Sequence, residues 1–345
     1  MTTTRRKFLT TSALAGAATL AAPAVKAQST IRWRMQTYAG AALGEHVVKP
    51  AVDLFNALAG DEMQIDLYYA DQLVPTGELF QAMQRGTIDC VQSDDDSMAS
   101  PTEVTVFGGY FPFASRYSLD VPALFNNWGL NDIWAQEYAN VGVKHISAGS
   151  WDPCHFITSS PINSLADLQG KRIFTFPTAG RFMAQFGVVP VTVPWEDVQI
   201  ALQTREIDGV AWCGATEAYT VGWADVTGYF LTNNISGAWI GHFFSNMDRW
   251  NELSPRLQQL VTACFEQSHY YRQHWYWAGE ARFRTEGTKL QLTAIPDAEW
   301  ATVDAAARVF WDEIGAESEV KARVVQTFKD YNAAMDRAGR PYRYS

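Results

Sequence analysis

Gln81-Ala82-Met83-Gln84-Arg85-Gly86-Thr87-Ile88-Asp89 indicates the fold, because its pattern returns at Ile200-Ala201-Leu202-Gln203-Thr204-Arg205-Glu206-Ile207-Asp208. Each stretch has the pattern of a helix end, a tight turn and the start of a buried strand. Alternating strand and helix patterns flank both copies in a matching order. The sequence therefore predicts two similar α/β units, each with a largely parallel sheet.

The elements around these stretches follow from hydrophobic periodicity. In the first unit we predict strands at 31–35, 63–69 and 88–91 and helices at 44–58 and 78–84. In the second unit we predict strands at 171–176 and 189–193 and a helix at 181–186. From Leu253 the composition favours helix, with predicted helices at 255–286, 296–313 and 319–338. Two α/β lobes followed by a long helical tail predict a bilobed receptor with a cleft between the lobes.

The N-terminus carries an export signature. Thr4-Arg5-Arg6-Lys7-Phe8-Leu9 contains a twin arginine, small and apolar residues fill 9–25, and Val25-Lys26-Ala27 is a cleavage site before Gln28. We therefore predict that residues 1–27 are a twin-arginine signal peptide and that the mature chain works in the periplasm. A membrane anchor is the alternative, but the apolar stretch is short and ends in a cleavable sequence.

Composition limits the class of partner. The chain has 27 Lys and Arg against 37 Asp and Glu. Removing residues 1–27 takes away four basic residues, so 23 basic residues remain and the net charge becomes −14. Such a surface predicts no nucleic-acid partner and no anionic membrane partner. The remaining 318 residues exceed one ordinary domain, which predicts two.

Catalytic and metal-binding motifs do not stand out. The sequence has no G-x-S-x-G, H-E-x-x-H, P-loop or G-x-G-x-x-G, so we predict neither an enzyme nor a cofactor. His145 and His155 lack a third metal ligand nearby. The four cysteines, which are too far apart for a metal ribbon, are either buried free thiols or contain a disulfide. They are Cys90, Cys154, Cys213 and Cys264.

Short motifs in a fixed order give the chain a family resemblance. They are Gln72-Leu73-Val74-Pro75, Gly86-Thr87-Ile88-Asp89, Phe111-Pro112-Phe113, Ile162-Asn163-Ser164-Leu165-Ala166-Asp167-Leu168-Gln169-Gly170-Lys171-Arg172-Ile173, Ala201-Leu202-Gln203 with Glu206-Ile207-Asp208-Gly209, His242-Phe243 and Leu253-Ser254-Pro255. With these motifs the chain resembles the periplasmic solute-binding subunits of TRAP transporters, and most of all their α-keto acid-binding branch. The resemblance covers almost the whole chain after residue 27.

The resemblance implies the architecture and the partners. The expected fold is a two-lobed periplasmic binding protein, type II-like, with a long connecting helix and a helical C-terminal tail. Lobe 1 would comprise 28–151 with part of 242–345, lobe 2 would comprise 152–241, and the helical segment would be 253–345. The lobes would close over one small solute and deliver it to a membrane permease driven by an ion gradient. Some members also form homodimers through the C-terminal helix.

The chain departs from that branch where the branch binds anions. Phe174 occupies the position of an arginine that pairs with a ligand carboxylate. Ala211 stands before Trp212, where the branch has a metal-binding glutamate. We therefore predict no metal site. Arg172 or Arg181 could still bind a carboxylate, so that ligand class stays open.

Acidic residues beside aromatic residues point instead to a cation. Carboxylates pair with an ammonium group, and aromatic faces attract it by about 0.5–2 kcal/mol each. We therefore predict a small amine or quaternary ammonium ligand, such as an amino alcohol, a betaine-like compound or a polyamine. A neutral aromatic ligand remains an alternative, as do a secreted enzyme and a sensor domain. The predicted ligand-binding residues are Tyr38, Asp94, Asp95, Asp96, Trp151, Asp152, Phe174, Trp212 and Trp239.

Overall fold

Two mixed β-sheets organise the structure, a computed structural model that describes residues 30–343. The first sheet has the strand order β2-β1-β3-β10-β4, and the second has the order β11-β9-β5-β8-β6-β7. The first sheet contains β1 (Ile31–Thr37), β2 (Met63–Tyr68), β3 (Cys90–Ser93), β4 (Val143–Ser150) and β10 (Ile240–Asn246). The second contains β5 (Cys154–Thr158), β6 (Arg172–Thr175), β7 (Val189–Val191), β8 (Gly209–Cys213), β9 (Tyr229–Ser236) and β11 (Gln291–Thr293).

Parallel pairs form the predicted α/β unit in each sheet. β1 pairs in parallel with β2 and β3, and β6 pairs in parallel with β7 and β8. Antiparallel strands complete each sheet: β10 pairs with β3 and β4, and β5 pairs with β8 and β9. The two copies of the repeated sequence lead into β3 and β8, which are equivalent strands of the two units.

Two short segments connect the sheets directly, and a third, longer connection runs from β10 through the long helix α10 (Pro255–Glu286) to β11. β4 ends at Ser150 and β5 begins at Cys154, while β9 ends at Ser236 and β10 begins at Ile240. We call residues 151–153 and 237–239 the crossovers. They come together, because Trp151 N–H donates to the Trp239 carbonyl and Trp239 N–H donates to the Asp152 carbonyl, at 2.9 and 2.8 Å. The predicted boundary 151/152 falls within the first crossover, whereas 241/242 falls two residues into β10, and the division into lobes at these positions stays a prediction.

Helices cover the sheets and connect them. They are α1 (Ala41–Val47), α2 (Lys49–Ala59), α3 (Leu79–Gln84), α4 (Asp120–Asn127), α5 (Leu130–Ala139), α6 (Pro177–Met183), α7 (Val198–Gln203), α8 (Ala215–Thr220), α9 (Met247–Asn251), α10 (Pro255–Glu286), α11 (Asp297–Gly315) and α12 (Glu319–Ala338). The predicted helix 44–58 is divided at Val48, since Pro50 at the start of α2 has no N–H to continue α1. α10 starts as predicted, with the Ser254 hydroxyl accepting from Leu257 N–H and Pro255 in its first turn.

The helical tail contacts both sheets. α10 packs on α2 and β4 of the first lobe and on α8 of the second lobe. The tail is not wholly helical, because β11 pairs in parallel with β9 at the edge of the second sheet. Three residues are too few to show an alternating pattern, and the free edge of β9 supplies the hydrogen bonds that define this strand. α12 turns Val324, Phe328 and Tyr331 toward its own protomer, so homodimerisation through this helix stays a prediction.

The described residues bear on two further expectations. All four cysteines are buried free thiols, which decides between the alternatives that the sequence left open. Within residues 30–343, no helix is both long and apolar enough to cross a membrane. The predicted signal peptide, residues 1–27, lies outside the described residues.

Candidate ligand site

Two buried carboxyl groups lie where the lobes meet. Asp152 belongs to the first crossover, and Glu217 lies in α8, just beyond the end of β8. Both residues are at most 2% exposed. Their carboxylate oxygens and the Cys213 sulfur lie within 4.8 Å of one another. We call Asp152 and Glu217 the acid pair.

Hydrogen bonds hold the acid pair in place but leave it incompletely satisfied. Gly214 N–H donates to Asp152 Oδ2 at 2.7 Å, and the Tyr110 hydroxyl donates to Oδ1 at 3.1 Å. The Tyr276 hydroxyl donates to Glu217 Oε2 at 2.9 Å. Glu217 Oε1 is buried without a hydrogen-bond partner among residues 30–343. The pair therefore contains a buried acceptor without a donor, and an unsatisfied buried polar group is costly.

The hydrogen-bond donors to the acid pair, which are Gly214 N–H and the hydroxyls of Tyr110 and Tyr276, carry no positive charge. Burial raises the pKa of Glu217 to about 8, and the negative charge of Glu280 adds to this shift. Burial and the charge of Glu217 raise the pKa of Asp152 well above its ordinary value. Buried Arg272 donates to the Val47 carbonyl at 2.9 Å, and its guanidinium lies 3.2 Å from the centre of the Trp151 ring. An ammonium group would supply the missing charge.

Aromatic rings of both lobes cluster between the sheets. The Tyr38 ring lies 4.8 Å from Trp239 of the second crossover, between ring centres. In the second lobe, Trp212 stacks on Phe176 at 3.7 Å and on Phe174 at 4.7 Å. The Trp239 indole N–H is buried without an acceptor within residues 30–343. The rings offer faces to a cation, and this N–H offers a hydrogen bond to an oxygen.

Glycine at position 241 allows the two crossover indoles to pack. A Cβ atom there would lie 2.1 Å from Trp239 and 2.5 Å from Trp151. The two indoles meet edge to face, with ring centres 4.6 Å apart. A larger residue at Gly241 would displace one of these rings and reshape the pocket wall.

A cleft of about 350 Å³ lies between the lobes, and Asp152 and Glu217 are not among the residues that line it. Tyr38 and Asp96 line it from the first lobe, and Phe174 and Trp212 line it from the second. Burial raises the pKa of Tyr38 well above its ordinary value, and the negative charges of Glu217 and Asp152 raise it further. Tyr38 thus borders both the cleft and the acid pair.

The structure removes Asp95 from the candidate ligand contacts. Its carboxylate accepts from the Trp134 indole at 3.1 Å and from the Tyr138 hydroxyl, and it lies 3.0 Å from His242 Nε2. These partners belong to the core of the first lobe, and Asp95 is fully buried among them. The side chain therefore points away from the cleft. The run of three acids could not reveal this, because the residues follow β3 in a turn, and the conformation of that turn decides which side chain faces the cleft.

The other two acids of the triplet have different positions. Asp94 is buried and closes a turn, with Oδ1 accepting from the N–H groups of Asp96 and Ser97 at 3.0 and 2.8 Å. Burial raises the pKa of Asp94 to about 8. Asp96 lines the cleft and accepts from Thr178 N–H of the second lobe at 2.9 Å. Asp96 therefore links the lobes, whereas Asp94 supports the turn beneath it.

Both arginines that could have bound a carboxylate lie elsewhere. Arg172 pairs with Asp208 at 3.1 Å, and Arg181 pairs with Glu317 at 3.5 Å. Each of these pairs is partly exposed to solvent, away from the acid pair. Both arginines are therefore already engaged with a carboxylate of the protein, although burial raises the pKa of Asp96 in the cleft and the charge of Arg181 partly offsets that rise.

Several residues of the site were missed in the sequence. Glu217 had a usable signal, because it lies in the first turn of a helix that follows a buried strand, where α/β folds place ligand groups. Phe176 follows β6 in the same way. Tyr110 and Tyr276 had no comparable signal, since a loop and the middle of α10 bring them in from distant parts of the chain.

A metal ion is the other cation that this donor set could hold. Asp152, Cys213 and Glu217 each offer one ligand atom. Burial raises the pKa of the Cys213 thiol well above its ordinary value, which disfavours the thiolate that binds metals. Calcium takes six to eight oxygen ligands, more than the acid pair supplies. The aromatic surroundings suit an organic ammonium better.

Two α/β lobes that meet over a buried, polar pocket define a solute-binding receptor. The chain belongs to the family described as bacterial extracellular solute-binding protein, family 7 (DctP), whose profile matches residues 39–318. This confirms the family and fold predicted from the sequence. TRAP solute-binding proteins of this family are periplasmic receptors for small molecules.

A solved relative shares most of the sequence. A TRAP periplasmic solute-binding protein from Chromohalobacter salexigens, with bound (S)-(+)-2-amino-1-propanol, is 74% identical, with a TM-score of 0.90 over 92% of this chain and 100% of that one. Among curated proteins, the monocarboxylate 2-oxoacid-binding periplasmic protein of Nostoc sp. is 24% identical over 95% of this chain and 93% of its own length. The ectoine/5-hydroxyectoine-binding periplasmic protein of Ruegeria pomeroyi is 24% identical over 80% of each chain.

Proposed function

We propose that this chain is the TRAP receptor for a small primary amine, and that an amino alcohol is its ligand. The acid pair, buried beside aromatic rings with uncharged hydrogen-bond donors, is the observation that supports this proposal. The ammonium group would bind between Asp152 and Glu217, below Tyr38. This keeps the cationic ligand predicted from the sequence but moves its partners from the acidic triplet to the acid pair.

The open acceptor favours an ammonium group that carries N–H bonds. Glu217 Oε1 has no donor among the described residues, and a primary ammonium brings three. A quaternary ammonium brings none, so the buried acceptor would stay unsatisfied. Among the amines considered from the sequence, betaine-like compounds are therefore the weaker candidates.

The crossover indole favours an oxygen on the same ligand. Trp239 Nε1–H is buried without an acceptor, and its ring contacts Tyr38 beside the acid pair. A hydroxyl oxygen close to the amino group would accept from this N–H. The bound 2-amino-1-propanol of the 74% identical relative carries both groups.

Capture and delivery follow from the two lobes. Ligand between the lobes would stabilise the closed form, in which Asp96 of one lobe accepts from Thr178 N–H of the other. The closed receptor would then present a surface from both lobes to the permease. Export by the twin-arginine route would place this cycle in the periplasm.

Calorimetric titration of the mature protein tests the ligand class. We expect (S)-2-amino-1-propanol to bind more tightly than choline, 1-propanol or pyruvate. Glu217→Gln should weaken amine binding by about 30-fold or more, because it removes one of the two carboxylates that would pair with the buried ammonium. Asp61→Asn, on an exposed turn of the first lobe, is the matched control and should change nothing. Tighter binding of choline or pyruvate than of the amine would refute the proposal.

A second candidate is an organic acid held through a metal ion. The three donor atoms within 4.8 Å of one another support it, as does the 2-oxoacid-binding relative. Pyruvate binding that requires added calcium and disappears with chelator would favour this candidate. Turnover of any bound compound would favour an enzyme instead, and binding to a membrane receptor other than a permease would favour a sensor.

A further inference from the structure

Two equivalent turns that begin with proline line the interlobe cleft from opposite lobes. Residues 75–78 lie between β2 and α3 in the first lobe, and residues 194–197 lie between β7 and α7 in the second. In each, the proline is extended, with ψ of 146° and 145°, and one turn of 3₁₀ helix follows and leads directly into a six-residue helix. Each proline also comes six residues before its copy of the repeated sequence. We call 75–78 and 194–197 the proline turns.

The proline turns share a backbone but differ in the residue after the proline. Thr76 follows Pro75, whereas Trp195 follows Pro194, and all four residues line the cleft. Since a threonine is sufficient at this position of the first turn, the conformation of the second turn does not require an indole. The reason for Trp195 therefore lies outside its own turn.

Trp195 reaches from the second lobe to the first. Its ring centre lies 5.7 Å from that of Tyr38, which it meets edge to face, and 5.5 Å from that of Trp212 in its own lobe. It also lies 5.1 Å from Trp223, which is buried in the second lobe. The indole thus fills space between aromatic side chains that line the cleft from both sides.

Gly40 of the first lobe allows this close approach. Its φ of −63° and ψ of 166° are open to any residue, so the backbone does not require glycine there. A Cβ atom at this position would lie 2.8 Å from Trp195 Nε1 and 2.7 Å from Glu196 Oε1. The absence of a side chain at Gly40 therefore serves the contact with the second proline turn.

The residues under the Trp195 indole are close to the acid pair. The Tyr38 ring also lies 4.8 Å from that of Trp239, whose N–H donates to the Asp152 carbonyl. Trp212 directly precedes Cys213, and the Cys213 sulfur lies within 4.8 Å of the carboxylate oxygens of the acid pair. Trp195 therefore packs on two cleft residues that are neighbours of the acid pair.

We propose that Trp195 is a specificity-determining residue that limits the size of the substituent an amine ligand can carry. The inference rests on the proposed function, in which the ammonium group lies at the acid pair below Tyr38. A substituent that extends into the cleft would meet the Trp195 indole, which Tyr38 and Trp212 hold in place. A methyl group fits beside the indole, whereas a bulky group would clash with it or keep the lobes apart.

Two amino alcohols with the same head group test this limit by calorimetric titration of the mature protein. (S)-2-amino-1-propanol carries a methyl substituent, and (S)-2-amino-3-phenyl-1-propanol carries a benzyl substituent. We expect the wild-type protein to bind the methyl compound at least about tenfold more tightly. Trp195→Ala should weaken binding of the methyl compound by about three- to tenfold and strengthen binding of the benzyl compound by at least about tenfold. A variant that merely damaged the fold would weaken both.

Three further variants separate the size limit from a general loss of packing. Trp195→Leu removes less volume and should give a selectivity between those of the wild type and Trp195→Ala. Gly40→Ala keeps the indole but obstructs its approach, so it should weaken binding of the methyl compound at least about threefold. Trp277→Ala is the matched control, because Trp277 is 68% exposed on α10 and is not among the residues that line the cleft. It should change neither affinity.

The outcomes distinguish this inference from the proposed function. Wild-type selectivity that persists in Trp195→Ala, or in Trp195→Leu if the alanine variant does not fold by circular dichroism, would overturn the role of Trp195 and leave the amine proposal in place. A wild-type protein that binds neither amino alcohol would overturn the amine proposal and this inference with it.

Discussion

At the scale of single residues, the acid pair would recognise the ligand, but ionising both carboxyl groups is unfavourable in the empty receptor. Asp152 and Glu217 are buried close together, and the resulting desolvation and repulsion favour the protonated forms. An ammonium ligand would reverse this preference, because it pairs with the ionised forms. The affinity and the stability of the receptor should therefore both depend on pH.

We expect amine affinity to rise with pH between about 6 and 8. Below a pKa of about 8 the empty receptor holds a proton on Glu217, and the cation must displace it. The gain should approach tenfold per pH unit while one proton is released. Titrations in buffers of different ionisation enthalpy would measure the released proton. Amine affinity should depend less on pH in Glu217→Gln than in the wild-type protein. A wild-type affinity that does not change with pH would contradict the role of Glu217.

The stability of the ligand-free protein should change in the opposite sense. The folded state retains a proton on Glu217 up to a pKa of about 8, whereas the unfolded state releases it near the ordinary value of 4.5. Between these values the folded state binds more protons, so the free energy of unfolding should fall as pH rises. Asp94, with a pKa of about 8, adds to the same trend. Thermal unfolding measured from pH 5 to 8 checks the sign, and Glu217→Gln should reduce the slope.

At the scale of elements, one hydrogen bond joins the lobes at the mouth of the cleft. Asp96 follows β3, and Thr178 lies in the first turn of α6. Asp96→Ala removes a charged acceptor, worth about 1.5–3 kcal/mol. We expect amine affinity to fall about 10-fold to 100-fold, because this bond links the two lobes and would be lost if they separated. Asp61→Ala is the control, and equal affinities of the two variants would exclude a closing role for Asp96.

At the scale of the whole molecule, ligand should shift the lobes toward the closed arrangement. The connections that can bend are the crossovers and the segment between α10 and β11, since these join the two sheets. Small-angle X-ray scattering should show a smaller radius of gyration with 2-amino-1-propanol than without it. Asp152→Asn should remove the change at the same ligand concentration. An identical scattering curve with and without ligand would contradict capture by closure.

Export is a separate prediction at this scale. Replacing Arg5 and Arg6 together by lysine should retain the protein in the cytoplasm, because the twin-arginine pathway reads that pair. Mass spectrometry of the periplasmic wild-type protein should find Gln28 at the N-terminus. A secreted lysine variant, or a wild-type chain that keeps residues 1–27, would contradict the signal peptide.

The sequence by itself determined the two α/β units and the long helix from Pro255, whereas a cationic ligand stays a prediction from it. These follow from local periodicity, helix-start residues and residue identity, none of which needs distant contacts. Only the tertiary structure decided which acidic side chains lie close together in the candidate site. Asp95 is turned into a core built by α5 and β10, while Glu217 of α8 is brought to Asp152 and bonded to Tyr276 of α10. These contacts depend on how separate helices and strands pack against each other. The sequence pattern of a single segment cannot predict them.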